Sequence, residues 1–135
     1  MRRHRTARPG DGRHDRGAVM VEFALVVPIL MLLVVGIIEF GFAFSAQVSI
    51  QGAAREGARA LALGESAGAV VAAVDSASGS ATVTDVATTG CPAGSTSTST
   101  AYATVTVQAE HTFRTPFLPL GTRTLTATGR MRCGL

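Results

Sequence analysis

The feature that most constrains this chain is an apolar run from Gly17 to Phe44, GAVMVEFALVVPILMLLVVGIIEFGFAF. It contains only two ionisable residues, Glu22 and Glu39, and the sixteen positions between them carry no charge. A helix of about 20 apolar residues spans the hydrocarbon core of a bilayer, which is roughly 30 Å thick. The run therefore predicts one transmembrane helix at residues 18–45.

The charge distribution around this run gives the predicted span a direction. The first 16 residues hold six arginines and two aspartates, whereas the rest of the chain holds six arginines and seven acids. Basic residues concentrate on the cytoplasmic side of membrane spans. We therefore expect a cytoplasmic basic leader at 1–17, a single pass through the inner cell membrane at 18–45, and an extracytoplasmic domain at 46–135. The leader is short and lacks aromatic residues, so nucleic-acid binding is not expected.

The remainder of the chain predicts an α+β fold. Apolar residues at helical spacing continue the first helix through residues 46–63, and a second apolar helix follows the potential N-cap Ser66. Three strand-like stretches come next, and the last two alternate cleanly between apolar and polar residues. We expect a long N-terminal transmembrane or spine helix, a second helix and a small three-stranded antiparallel sheet. The predicted strands are Ala81–Thr89, Ala101–Phe113 and Thr122–Cys133.

The continuation of the first helix beyond the membrane has two distinct faces. Its apolar face consists mainly of small residues, which permit close approach of a sheet or of other helices. The opposite face is predicted to be a polar, solvated stripe, although it could also contact neighbouring subunits. The apolar face holds Ile50, Ala53, Ala54, Gly57, Ala58 and Leu61, and the polar stripe holds Gln47, Gln51, Arg55 and Arg59.

Both cysteines, Cys91 and Cys133, follow the predicted membrane span. If that side is oxidising, one disulfide between them is the simplest expectation, and two free thiols are the alternative. Their spacing does not fit a zinc knuckle or a CxxC redox motif.

The sequence offers no catalytic motif. Two of the three histidines lie in the leader, and the third, His111, follows Glu110 on a predicted strand, where adjacent side chains point to opposite faces. No nucleophile elbow, zincin motif or glycine-rich phosphate loop is present. We therefore expect a chain that is not an enzyme, has no catalytic, cofactor or metal site, and takes no small-molecule substrate.

Glu22 is unusual because a carboxylate at the edge of the hydrocarbon costs about 2–3 kcal/mol unless it is paired or hydrated. Arg16-Gly17, four further residues, Glu22-Phe23 and an apolar helix closely resemble the prepilin peptidase motif of type IV-like pilins and pseudopilins. That resemblance implies cleavage between Gly17 and Ala18. It also implies that the Glu22 carboxylate pairs with the free α-amine of a neighbouring subunit.

The second half of the run and the helix that follows it indicate a more specific family. Residues 36–41 (GIIEFG) and 53–60 (AAREGARA) resemble the TadE-like proteins, minor pseudopilins of the Tad (Flp pilus) apparatus. This resemblance implies a part in assembling a Tad/Flp-type pilus or a related secretion machine, located in the membrane or in the pilus itself. The implied partners are the membrane, a prepilin peptidase, other pseudopilins or pilins, and an inner-membrane assembly platform.

Three residues near the end of the run are candidates for helix–helix contact. Near the outer interface Glu39 would be neutral, pair with a partner helix or stay hydrated, and the last two are favoured about equally. Gly41 and Ser45 form a small-xxx-small pair, which allows another helix to approach closely.

Two other functions remain open at this point. The first is a single-pass anchor that displays the domain without cleavage, and the second is a secreted, soluble binding module released near Ser45. The sequence does not distinguish a role in the pilus shaft, at its tip or in its assembly.

Overall fold

The computed structural model describes residues 12–96, 100–114 and 121–134, with side chains from residue 17 onward. Most of the predicted leader therefore lies outside the described residues, as does most of the linker between the last two strands. The elements in chain order are helix α1 (Gly12–Ala62), helix α2 (Ala67–Ala77) and strands β1 (Thr82–Thr89), β2 (Tyr102–Thr112) and β3 (Thr122–Arg132).

The α+β class and the order of elements confirm the prediction. Helix α1 begins six residues before the predicted span and continues through Pro28. Residues 12–17 contain no proline, and arginine is a good helix former, so nothing in the local sequence stops the helix at residue 17.

The chain divides into two compact units between Val35 and Gly36. The described part of the first unit is the N-terminal portion of α1. The second unit contains the rest of α1, α2 and the sheet. This division reflects which residues pack together, whereas the boundary predicted at residue 45 is the place where the helix would leave the membrane.

The end of α1 and the start of α2 are set by local backbone chemistry. Gly64 adopts a φ of +81°, a left-handed conformation that favours glycine. The N–H of Glu65 donates to the Ala60 carbonyl and the N–H of Gly64 to the Leu61 carbonyl, which is the Schellman pattern. Ser66 then caps α2, since its hydroxyl accepts a hydrogen bond from the Ala69 N–H at 3.3 Å.

The sheet is antiparallel in the order β1-β2-β3. β2 pairs with β3 along its whole length, from Tyr102 opposite Arg132 to Thr112 opposite Thr122. β1 pairs with β2 through a register shift between Val83 and Asp85. This irregularity explains why the sequence of β1 alternates imperfectly.

The core lies between one face of the sheet, α2 and the C-terminal part of α1. Val105, Val107 and Ala109 of β2 are fully buried, as the alternation predicts. A Cβ placed on Gly57 of α1 would lie 2.6 Å from Val74 Cγ2 and 3.2 Å from Val105 Cγ1. Glycine at this position therefore lets α2 and β2 approach α1 closely.

Helix α1 also contacts the outer strand β3. The Gln47 side-chain amide donates to the Thr126 carbonyl at 3.0 Å, and the Gln51 amide donates to the Thr128 carbonyl at 3.2 Å. Four residues advance a helix by about 6 Å, and two residues advance a strand by about 6.8 Å. The two glutamines therefore match two carbonyl groups of β3 that lie two residues apart on its outer edge. Without these contacts, an edge strand would leave both carbonyl groups to solvent.

This contact corrects the interpretation of Gln47 and Gln51 as part of a solvated polar stripe. Helical spacing placed them with Arg55 and Arg59, which are exposed. Position on a helix does not reveal where the edge of a distant sheet lies, and amides can satisfy carbonyl groups that the strand ladder does not use. The glutamines are half-buried against β3 instead.

The expected disulfide between Cys91 and Cys133 is present. Cys133 is 2% exposed and its N–H donates to the Ala101 carbonyl at 3.0 Å. The bridge therefore joins the segment after β1 to the end of β3.

Candidate functional site

The predicted processing site lies within helix α1. Gly17 and Ala18 are both exposed, and their peptide bond is more than one helical turn from the first residue of the helix. A Cβ on Gly17 would meet nothing within 4 Å. No described part of the chain therefore covers Gly17, and cleavage at this bond stays a prediction.

Glu22 lies one turn further along the same part of the helix and is exposed. It borders a shallow surface together with Val19, Phe23 and Val26. Phe23 is 69% exposed, and the two valines are also largely exposed. The acidic group therefore lies among exposed apolar side chains, and its pairing with a second molecule stays a prediction.

The rest of the apolar run is exposed as well. Gly17–Ala62 is the part of the described chain that is long and apolar enough to cross a membrane, and no part of its most hydropathic window is buried. These properties fit a single-pass membrane anchor.

Glu39 has a partner within its own chain. Its Oε2 accepts a hydrogen bond from the backbone N–H of Arg114 at 3.1 Å, and its side chain is half-buried. This contact joins α1 to the second residue after the end of β2. It leaves the second carboxylate oxygen able to accept further hydrogen bonds.

Gly41 and Ser45 are both exposed on α1. A Cβ on Gly41 would meet nothing within 4 Å. No described part of the chain therefore covers Gly41, and contact with another helix at this pair stays a prediction.

Sequence reasoning missed two residues near Glu39. His111 lies near the end of β2 and Arg114 lies two residues beyond it, and both border the same cleft as Glu39. The alternation placed His111 on the inward face of its strand, but no sequence signal joined it to a helix residue more than seventy positions earlier.

Comparison with known families gives a match over part of this chain. Residues 17–59 match the family model described as TadE-like protein. This chain carries a TadE-like segment. The match covers 43 of the 135 residues and begins at Gly17. Neither the comparison with curated proteins nor that with solved structures gives a match.

The TadE-like match supports a Tad pilus-associated protein in a membrane context. It includes all of the apolar run and most of the helix that packs against the sheet, but it ends two residues before Leu61 of the apolar face. It leaves out α2, the three strands and the disulfide.

Proposed function

We propose that this TadE-like chain is a minor pseudopilin that is cleaved between Gly17 and Ala18 and takes part in assembling a Tad/Flp-type pilus or a related secretion machine. Before assembly, residues 18–45 cross the inner membrane once, with the leader in the cytoplasm and residues 46–135 outside. The proposed partners are a prepilin peptidase, other pseudopilins or pilins, and an inner-membrane platform. The proposed role is structural, and the chain is not an enzyme.

The observation that carries this proposal is the agreement between the family match and the residues of the processing motif. The match begins at the glycine that would precede the cleaved bond. That glycine, the following Ala18 and the carboxylate of Glu22 are all exposed. The basic leader and the long apolar helix supply the orientation and the anchor that the motif requires.

The pairing of Glu22 follows from the cost of leaving its charge in an apolar environment. Breaking a buried ion pair by removing one partner costs about 3–5 kcal/mol. A free α-amine at Ala18 of a second copy would provide a positive charge at a position where the uncleaved chain has a neutral amide. Cleavage would therefore create the group that Glu22 needs for assembly.

The chain isolated from membranes that contain the peptidase is expected to begin at Ala18. Gly17→Leu should keep the leader, because a bulky side chain replaces the small residue next to the cleaved bond. N-terminal sequencing of both chains measures this directly. Gly12→Leu, which changes a glycine of the leader five residues away, is the matched control and should still yield Ala18.

Other N-termini would contradict the proposal in distinct ways. An intact wild-type leader in the presence of active peptidase would indicate the uncleaved anchor. A start near Ala46 or Gln47 would indicate a secreted module and would contradict every membrane-anchored interpretation.

Glu22→Ala is expected to leave cleavage largely unchanged but to lower co-assembly with other subunits by about 100-fold, since an unpaired α-ammonium would remain in the contact. Co-purification of tagged subunits from membranes measures this effect. Glu65→Ala, which removes an exposed carboxylate between α1 and α2, should assemble as the wild type does. Normal assembly of Glu22→Ala would contradict the pairing.

A further inference from the structure

A cleft of about 290 Å³ lies within the second unit, between α1 and the end of β2. Its size is near the lower limit for sites that hold small ligands, which occupy about 300–1,000 Å³. Both acidic and basic residues border it, together with hydroxyl groups. The lining residues used below are Glu39, Phe42, Ser45, Ser80, His111 and Arg114.

One lining residue has an unsatisfied polar atom. His111 Nε2 is buried and has no hydrogen-bond partner among the described residues. The ring makes an edge contact with Phe113, with centroids 4.8 Å apart, and this contact does not involve a hydrogen bond to Nε2. Buried polar atoms are paired in the great majority of cases. Because Nε2 itself has no accessible surface, a ligand in the cleft bonds it only when the imidazole ring turns toward the cleft, and that bond would remove the deficit.

The other polar groups of the cleft suit a ligand that carries both a positively and a negatively charged group. Glu39 keeps an oxygen beyond the one that accepts the Arg114 N–H, and so can bind an ammonium group. The Arg114 guanidinium is exposed at the border of the cleft and can bind a phosphate. Ser45 and Ser80 add hydroxyl groups, which can donate or accept hydrogen bonds.

The position of the cleft on α1 indicates where such a ligand would come from. Glu39 and Phe42 lie in the last turns of the apolar run, and the polar part of the helix begins just after Phe44. Phe40, Phe42 and Phe44 are each more than 60% exposed. If α1 spans the bilayer as proposed above, the cleft opens at the level of the lipid headgroups.

We propose that this cleft binds the headgroup of a phospholipid that carries a primary ammonium and a phosphate, as in phosphatidylethanolamine. The ammonium donates to Glu39 and to His111 Nε2, and Arg114 binds the phosphate. Phe42 contacts the apolar part of the lipid. A trimethylammonium headgroup cannot donate N–H bonds, and a glycerol headgroup carries no cation, so both should bind more weakly.

Native mass spectrometry of the full chain in detergent micelles tests this proposal. The micelles contain equal amounts of phosphatidylethanolamine, phosphatidylcholine and phosphatidylglycerol. We expect ethanolamine-lipid adducts to exceed choline-lipid adducts about tenfold. Glu39→Gln, which keeps an oxygen for the Arg114 N–H, and His111→Phe should each reduce this ratio to near one. Glu56→Gln, on the exposed face of the same helix, should leave it unchanged.

Three results would overturn the lipid site: equal adducts for the three lipids, an unchanged ratio in both cleft variants, or equally tight binding of soluble phosphoethanolamine. Because the inference rests on the proposed membrane insertion, alkaline extraction of native membranes is measured in parallel. An extractable chain would contradict the membrane anchor itself. An inserted chain without lipid preference would contradict the cleft inference alone.

Discussion

Gly129→Ala is expected to lower the free energy of unfolding by about 3 kcal/mol, because overpacking against backbone forces whole elements to move. A Cβ at this position would overlap the carbonyl group of Ala54 and the amide nitrogen of Arg55 in α1. Neither α1 nor β3 can move out of this overlap independently of the other elements. β3 is paired with β2 along its length, and α1 is held to β3 by Gln47 and Gln51 on the adjacent turns.

Denaturant unfolding of the full chain in detergent measures this loss. Tyr102 is the single tyrosine, the chain has no tryptophan, and Tyr102 pairs with Arg132 in the sheet, so its fluorescence reports the domain. Gly52→Ala is the matched control, since a Cβ there would meet nothing within 4 Å. That helical substitution should be neutral or stabilising by up to about 1 kcal/mol. Equal midpoints for the Gly129 and Gly52 variants would contradict close packing of α1 on β3.

The sequence predicted those features that depend on neighbouring residues. The length of the apolar run gave the long helix, and strict alternation in β2 and β3 gave both strands to within one residue of their observed ends. Ser66 was predicted as the start of the second helix because side-chain capping is a local effect.

The sequence did not predict the contacts between residues that are far apart in the chain. The glutamine contacts with β3 join residues more than seventy positions apart, and so does the bond from Arg114 to Glu39. Gly129 occupies an inward position that alternation assigns to the core, but alternation does not show that a helix backbone lies directly against it. Such contacts depend on the relative placement of elements, which periodicity within one element does not encode.

The processing motif and the cleft beside Glu39 differ in how far the sequence predicts them. The spacing of Gly17 and Glu22 predicts processing and pairing, which involve other molecules, and both stay predictions. The cleft beside Glu39 has no sequence signature, because its groups come from a helix, a turn and the end of a strand. Only the folded domain brings them together.

Loss of the disulfide is the second large effect expected. Cys91 and Cys133 are separated by 42 positions, and constraining a loop of that length in the unfolded chain contributes about 4 kcal/mol. The domain has a thin core built largely from alanine and valine side chains, so this contribution is a large share of the stability of a small domain. The Cys91→Ala/Cys133→Ala chain should therefore unfold at a much lower denaturant concentration.

Reduction of the wild-type chain measures the stabilisation by the disulfide bond separately from the stabilisation by packing of its sulfur atoms. Cys133 is 2% exposed and Cys91 only half-buried, so Cys133→Ala also removes buried volume, whereas Cys91→Ala mainly removes the bridge. We expect reductant to lower the wild-type midpoint nearly to that of Cys91→Ala, with Cys133→Ala lower still. The midpoint of the double variant should not respond to reductant. If the wild-type midpoint did not respond either, the bridge would not stabilise the domain, and the packing of α1 on the sheet alone would hold the two ends of the sheet in place.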